Sequence, residues 1–197
     1  MLPTREEAER LLEESEKMNP GPWGNHSRTA AHCAECIARA CEGMDHEKAY
    51  ILGLLHDIGR RFGVRHLGHV SDGYSFMMSL GYDEAAKICL THSFSTRSLD
   101  DYVGRDDTSA EEHELIITEI GKTVFDDYDR LIQLCDALSG SEGVMNIQDR
   151  MDDVARRYGS YSPQKRAVNL ALKEYFEKKA GEDIYVLTDK ANYSPMK

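Results

Sequence analysis

Residues 52–60 read "LGLLHDIGR", a histidine and an aspartate side by side in one of the most apolar runs of the chain. A carboxylate taken out of water is costly unless it is paired or coordinates a metal. His56 and Asp57 therefore call for partners, and the rest of the sequence is read for them. Asp45 is placed to cap a helix that carries "AYILGLLHD" and stops near Gly59.

Outward from that helix the pattern is helical almost throughout. Thr4 with Glu7 forms a capping box, and Ala8, Leu11, Leu12, Ser15 and Met18 line one face of a first helix. "NPGPWGN" (19–25) breaks the chain, and a second helix spans about His26 to Cys41. A fourth covers about 66–80, and a fifth runs from Asp83 to His92. Residues 97–108, "RSLDDYVGRDDT", form a polar acidic loop or flap, followed by a helix that Ser109 and Glu112 open and that ends near Ile120. Further helices are expected over 127–139, 146–158 and 163–180, the last with Ser162 as cap and Pro163 at its first position. "IYVLT" (184–188) is the only strand-like run. The expectation is an all-α, single-domain helical bundle over 1–197, its core at about 20–140 and the helices of 146–180 packed on it.

Composition excludes several function classes. The chain has 197 residues, 41% hydrophobic and 30% charged, with a formal net charge of −11. Such a balance argues against nucleic acid or an anionic membrane surface gripped by bulk charge, which needs clustered Lys and Arg. It leaves room for a small anion held by a local metal or arginine. No apolar run approaches the ~20 residues of a membrane span, and the N-terminal "MLPTREEAERLLEE" lacks a signal-peptide core. Five scattered cysteines fit reduced thiols, so a cytoplasmic protein is expected. Cys33-x-x-Cys36 has no second CxxC, lies within a helix and reads as core packing. "DRMDD" (149–153) reads as a solvated helix face.

Partners for His56 and Asp57 are sought among ligand-type residues on inward faces. Ala30, Cys33, Ile37 and Cys41 share a stripe with His26 at about 100° per residue, whereas His32 lies away from it on the wet side with Glu35 and Arg39. His92 shares a stripe with Ala85, Ile88 and Cys89, and Asp136 sits at the edge of the stripe of Tyr128, Leu131, Ile132 and Cys135. His66 and His69 are one turn apart, and helical geometry does not choose between them. Imidazole nitrogen with carboxylate oxygen is a ligand set for Zn, Fe or Mn, and it leaves coordination sites open. Arg60 is either a cation at a helix C-terminus or a phosphate clamp; Arg61 and Arg65 are weaker candidates for the same role.

An inward His26, then His56-Asp57, then a distant Asp136 resembles the H…HD…D signature of the HD superfamily of metal-dependent phosphohydrolases. "HDIGR" is similar to its frequent form, with a basic residue three positions after the aspartate. The resemblance covers roughly residues 20–140. It implies a phosphohydrolase acting on a nucleotide or other small phosphate ester or anhydride, with Asp57 and Arg60 as catalytic residues and Arg60 also on the substrate phosphate. Many members add two histidines. "HVSDG", with Gly73 four residues after His69, and "LTHSF", with His92, look like these two, so the resemblance favours His69 over His66. It implies two divalent ions held by His26, His56, Asp57, His69, His92 and Asp136, with Fe, Mn, Zn, Co, Ni and Mg not distinguished. The short build is similar to the bacterial diadenosine tetraphosphate hydrolase branch, although the long interval from His92 to Asp136 departs from the pattern. HD-like sites also support hydration or oxygen-dependent chemistry, and a nucleotide-sensing module without turnover is a third reading. The implied partner is a small phosphorylated substrate, a nucleotide foremost, with no membrane; a homodimer is compatible with the pattern.

Overall fold

The computed structural model describes residues 1–195, Asp101 through its backbone alone. The chain folds into α1 (Arg5–Met18), α2 (Trp23–Ala40), α3 (His46–Leu55), α4 (Gly68–Ser79), α5 (Asp83–Thr91), α6 (Ala110–Lys122), α7 (Asp127–Leu138), α8 (Ile147–Tyr158), α9 (Pro163–Ala180) and α10 (Ile184–Leu187), with 3-10 turns at Ile58–Phe62 and Leu99–Asp101. No strand occurs among the described residues, and the all-α class read from the sequence holds. Both expected capping boxes are present, Thr4 with Glu7 and Ser109 with Glu112. Asp126 with Asp129 adds a third, at the start of α7.

Small residues set the spacing that builds the site. Gly53 of α3 packs so closely on α2 that an added Cβ would lie 2.8 Å from the Ala31 Cα. This contact lays the end of α3 beside the inward face of α2. The expected run of α3 to Gly59 is not observed: the helix ends at Leu55, and His56 and Asp57 occupy the turn that leads into Ile58–Phe62. Gly59 explains the bend. A Cβ there would sit 2.0 Å from the His69 carbonyl oxygen and 2.5 Å from the Gly73 nitrogen, so the chain leaves the helix axis to press against α4. The Cys89 thiol donates to the Leu55 carbonyl at 3.3 Å, satisfying an acceptor that the ended helix frees.

The strand-like reading of 184–188 is corrected to helix. Asp183 accepts from the backbone N–H groups of Tyr185 and Val186, and the Thr188 hydroxyl donates to the Ile184 carbonyl. Ile184 and Thr188 are fully buried while Val186 is 65% exposed. That is the i, i+4 spacing of a helix face and not the alternation of a strand. His32, expected on the wet side, is covered by this C-terminal segment. It bonds the Thr188 carbonyl at 2.8 Å and stacks on Tyr193 with ring centroids 3.6 Å apart.

One apolar core joins α1, α2, α3, α5 and α7, and Ile147, Met151, Leu172, Phe176 and Ile184 carry it into α8, α9 and α10. A second cluster of Leu67, Val70, Leu90, Phe94, Ile116 and Ile120 seats α6 on α4 and α5. Between these helices the segment 97–109 is tied down. Asp107 accepts from the N–H groups of His66 (2.7 Å) and Gly68 (2.8 Å), at the start of α4, which has no cap of its own. Arg65 holds Glu112 through two bonds, at 2.9 and 2.8 Å, and Asp72 at 2.8 Å. No helix among the described residues is long and apolar enough to cross a membrane.

Candidate metal centre

Five elements deliver six side chains to one place: His26 from α2, His56 and Asp57 from the turn after α3, His69 from α4, His92 from the end of α5 and Asp136 from α7. All four histidines and Asp57 are buried. Each imidazole has its Nδ1 on a backbone carbonyl: His26 on Ser139 (3.0 Å), His56 on Gly53 (2.7 Å), His92 on Cys89 (2.9 Å), and His69 on His66. A carbonyl oxygen only accepts, so Nδ1 carries a hydrogen in every ring, and it is Nε2 that the neutral form of each ring offers inward as a ligand atom.

The inward atoms then meet acceptor to acceptor. Nε2 of His26 lies 3.2 Å from Nε2 of His56, and Nε2 of His69 lies 3.2 Å from Nε2 of His92. The His26 Nε2 is also 3.0 Å from an Asp136 oxygen. Asp57 Oδ1 is buried without a hydrogen-bond partner among the described residues, 3.1 Å from His69 Nε2 and 3.5 Å from His92 Nε2. Lone pairs crowded in this way repel one another unless a cation lies among them. Two trios, His26–His56–Asp57 and Asp57–His69–His92, each bring their ligand atoms within 4.8 Å of one another. Nitrogen and oxygen donors in this mixture suit a divalent transition ion. The residues present fit such a metal.

The electrostatics maintain the ligand forms. Burial alone would raise the Asp57 carboxyl, but Arg60, whose Nε donates to Oδ2, and the neighbouring imidazoles hold it well below the usual carboxylate range. At Asp136 burial is likewise outweighed, here by His26, and the group stays ionised. Burial pushes His56 down to about 4 and lowers His69, so both rings are neutral near pH 7.

The structure resolves the pair that the sequence left open. His69 joins Asp57 and His92, whereas His66 stands apart, its Nε2 3.2 Å from Arg105 and its ring 5.7 Å from that of Tyr158. Of the three arginines only Arg60 reaches Asp57; Arg61 lies over the Phe76 ring at 3.9 Å, and Arg65 anchors the 97–112 segment. Cys33 is a core residue whose thiol burial pushes up to about 12, and all five cysteines are free.

A cavity of about 610 Å³ opens over the six side chains, within the usual range for a small-molecule site. Five cations line it, Arg60, Arg65, Arg150, Arg157 and Lys165, against the carboxylates of Asp57, Asp136 and Asp153. The chain is thus locally basic where it is acidic as a whole. Arg150, Arg157 and Lys165 were missed in the sequence, as were Tyr102, Tyr158 and Tyr161 on the same walls. The reading of 149–153 as a solvated face is corrected in part: Asp152 is exposed, but Met151 is buried and Arg150 lines the cavity. The signal was present in α8, where Ile147, Met151, Val154 and Tyr158 recur at helical spacing.

The family model of the HD domain matches residues 23–141, a span that includes all six of these side chains. No curated protein and no solved structure shows a significant match to the chain. With the matched span covering more than half of its length, the chain belongs to the HD domain family, most of whose members are metal-dependent hydrolases.

Proposed function

We propose that this protein is a metal-dependent phosphohydrolase of small phosphate esters or anhydrides, nucleotides among them. The observation that carries the reading is the pair of Nε2-to-Nε2 contacts, His26–His56 and His69–His92, joined through an oxygen of Asp57 that has no hydrogen-bond partner among the described residues. His26, His56, Asp57 and Asp136 would hold one divalent ion, and Asp57, His69 and His92 a second. Such ions supply Lewis acidity toward a phosphoryl oxygen and make water acidic enough to ionise near neutral pH. The chain's own residues do the rest. Asp57 holds the Arg60 guanidinium at the cavity wall, where its remaining donors orient a phosphate. The backbone carbonyls fix every imidazole in one tautomer, so no ring has to turn when substrate arrives.

The experiment is phosphate release from mononucleotides, dinucleoside polyphosphates and cyclic nucleotides, with Fe(II), Mn, Co, Ni, Zn or Mg, beside an Asp57→Ala variant. The expected outcome is turnover by the native chain, and turnover and bound metal both reduced to background in D57A. Turnover that survives in D57A overturns the proposal. So does silence from a metal-loaded native chain across the whole panel.

A further inference from the structure

The long interval from His92 to Asp136, which departs from the H…HD…D pattern, brings Tyr102 and Val103 to the cavity wall, and α8, which lies beyond the matched span, brings Tyr158. His66, which the metal centre does not use, lines the cavity with them. Its ring meets that of Tyr158 edge to face, with centroids 5.7 Å apart and planes at 83°. Gly104, at φ 138°, brings Tyr102 to the same place: an added Cβ there would lie 3.2 Å from His66 Nδ1 and 3.0 Å from Tyr102 Cε1. The Tyr102 ring backs on the buried Phe94, with centroids 6.0 Å apart. Three rings from three parts of the chain thus share one region of the cavity. Asp107, by accepting from the His66 and Gly68 N–H groups, fastens the segment of Tyr102 to the start of α4, so the cluster is assembled before any ligand arrives.

The polar groups nearby narrow what the rings can hold. Arg105 Nη2 donates to His66 Nε2 at 3.2 Å, so the neutral imidazole carries its hydrogen on Nδ1 and is a donor there. The hydroxyls of Tyr102 and Tyr158 lie within electrostatic reach of the Arg60 guanidinium, which places the rings next to the proposed phosphate contact. The carboxylates and the carboxamide of the lining are engaged elsewhere: Asp57 and Asp136 at the metal centre, Asp153 on Arg157 at 3.0 Å, and the Asn19 amide on the Arg60 carbonyl at 2.6 Å. A phosphosugar is thereby left without a side-chain carboxylate or amide for its hydroxyls among the described lining residues. A planar heteroaromatic ring needs neither, because it stacks on aromatic faces whatever its substituents. We infer that Tyr102, His66 and Tyr158 form a base subsite, which holds the purine or pyrimidine ring of a nucleotide whose phosphate lies at Arg60 and the metal centre. The inference rests on the hydrolase reading for the reacting end. It narrows the substrate class from small phosphate compounds in general to those that carry a nucleobase.

The test uses ligands that cannot react. The full chain, with Mn(II) present, is titrated calorimetrically with adenosine, guanosine, cytidine and uridine, and with ribose, which shares their sugar and lacks the ring. At least one nucleoside is expected to bind about tenfold more tightly than ribose, the order that one stacking contact supplies. Tyr102→Leu and Tyr158→Leu each remove a ring and are expected to weaken that nucleoside about fivefold or more, whereas Tyr102→Phe and Tyr158→Phe keep the ring and are expected to stay within about twofold. Tyr175→Leu, on α9 and outside the cavity, is expected to change nothing. Should Y102L disturb its segment, Y158L decides, since Tyr158 is the last residue of α8 and 40% exposed. No nucleoside binding, affinities no higher than that of ribose, or a loss in Y175L equal to that in Y102L and Y158L overturns the inference. The two readings fail separately. Nucleosides bound through these rings without phosphate release under any metal sink the hydrolase and retain the subsite, whereas turnover of phosphate esters with no nucleoside binding does the reverse.

Discussion

Glycines carry as much of the site as the ligands do. Gly59→Ala places a methyl against the His69 carbonyl and is expected to destabilise the chain by about 2–3 kcal/mol, read as a lowered urea midpoint at unchanged slope. Gly121→Ala provides the contrast. It lies in α6 with nothing within 4 Å of an added Cβ, and the same change there is expected to stabilise by about 0.5–1 kcal/mol. His56 and Asp57 were legible because an imidazole and a carboxylate in an apolar run have few reasons to be there, and because His26, His92 and Asp136 fell on or beside inward stripes. His69 was not chosen by periodicity, since His66 one turn earlier is nearly equivalent on a helical wheel. The distinction comes from where α4 begins: His66 precedes Gly68, and its backbone is engaged by Asp107.

At the scale of elements, capping chemistry made most helix boundaries readable, while α10 and the end of α3 were not. Both misreadings have one cause: local pattern was overruled by a tertiary neighbour, Gly73 and His69 in one case and the buried seats of Ile184 and Thr188 in the other. The start of α4 shows the same dependence, because its cap comes from the distant Asp107. Asp107→Ala is expected to cost about 1 kcal/mol and to raise proteolytic cleavage within 97–109 well before global unfolding. Acid should act at the same place. Against the opposing effect of burial, the His66 and Gly68 N–H groups hold Asp107 below its ordinary value of 3.8, and Arg65 holds Glu112 below 4.5. Folded pKa values beneath the unfolded ones mean that this support is complete above about pH 4.5 and is lost as pH falls through the lower, folded values. Protection from hydrogen exchange in 97–112, relative to the unfolded chain at the same pH, should therefore fall below about pH 4, and less so in D107N, where one titrating carboxylate is gone. Uniform exchange behaviour in native and variant chains would contradict this account.

The molecule as a whole is acidic, but an averaged quantity carries no information about a cavity in which five cations meet three carboxylates. The helices beyond the matched span were read as packing elements, and they are that as well. Phe176 of α9 is fully buried in the main core, so Phe176→Ala is expected to destabilise the entire fold by about 3–5 kcal/mol. A single cooperative urea transition, displaced at every probe alike, is the measurement that checks it. Two separate transitions would show α8–α10 to be an independent unit instead.

The carbonyl of Ser139 has a consequence of another kind. One oxygen sets the aim of His26 and also moors the guanidinium of Arg150, so α8 and the imidazole share a hinge pin. Any displacement of α8, inward on an arriving ligand or outward on a departing one, tugs the atom against which the ring is braced. The far wall of the cavity is in this way joined to the candidate metal centre through a single peptide group.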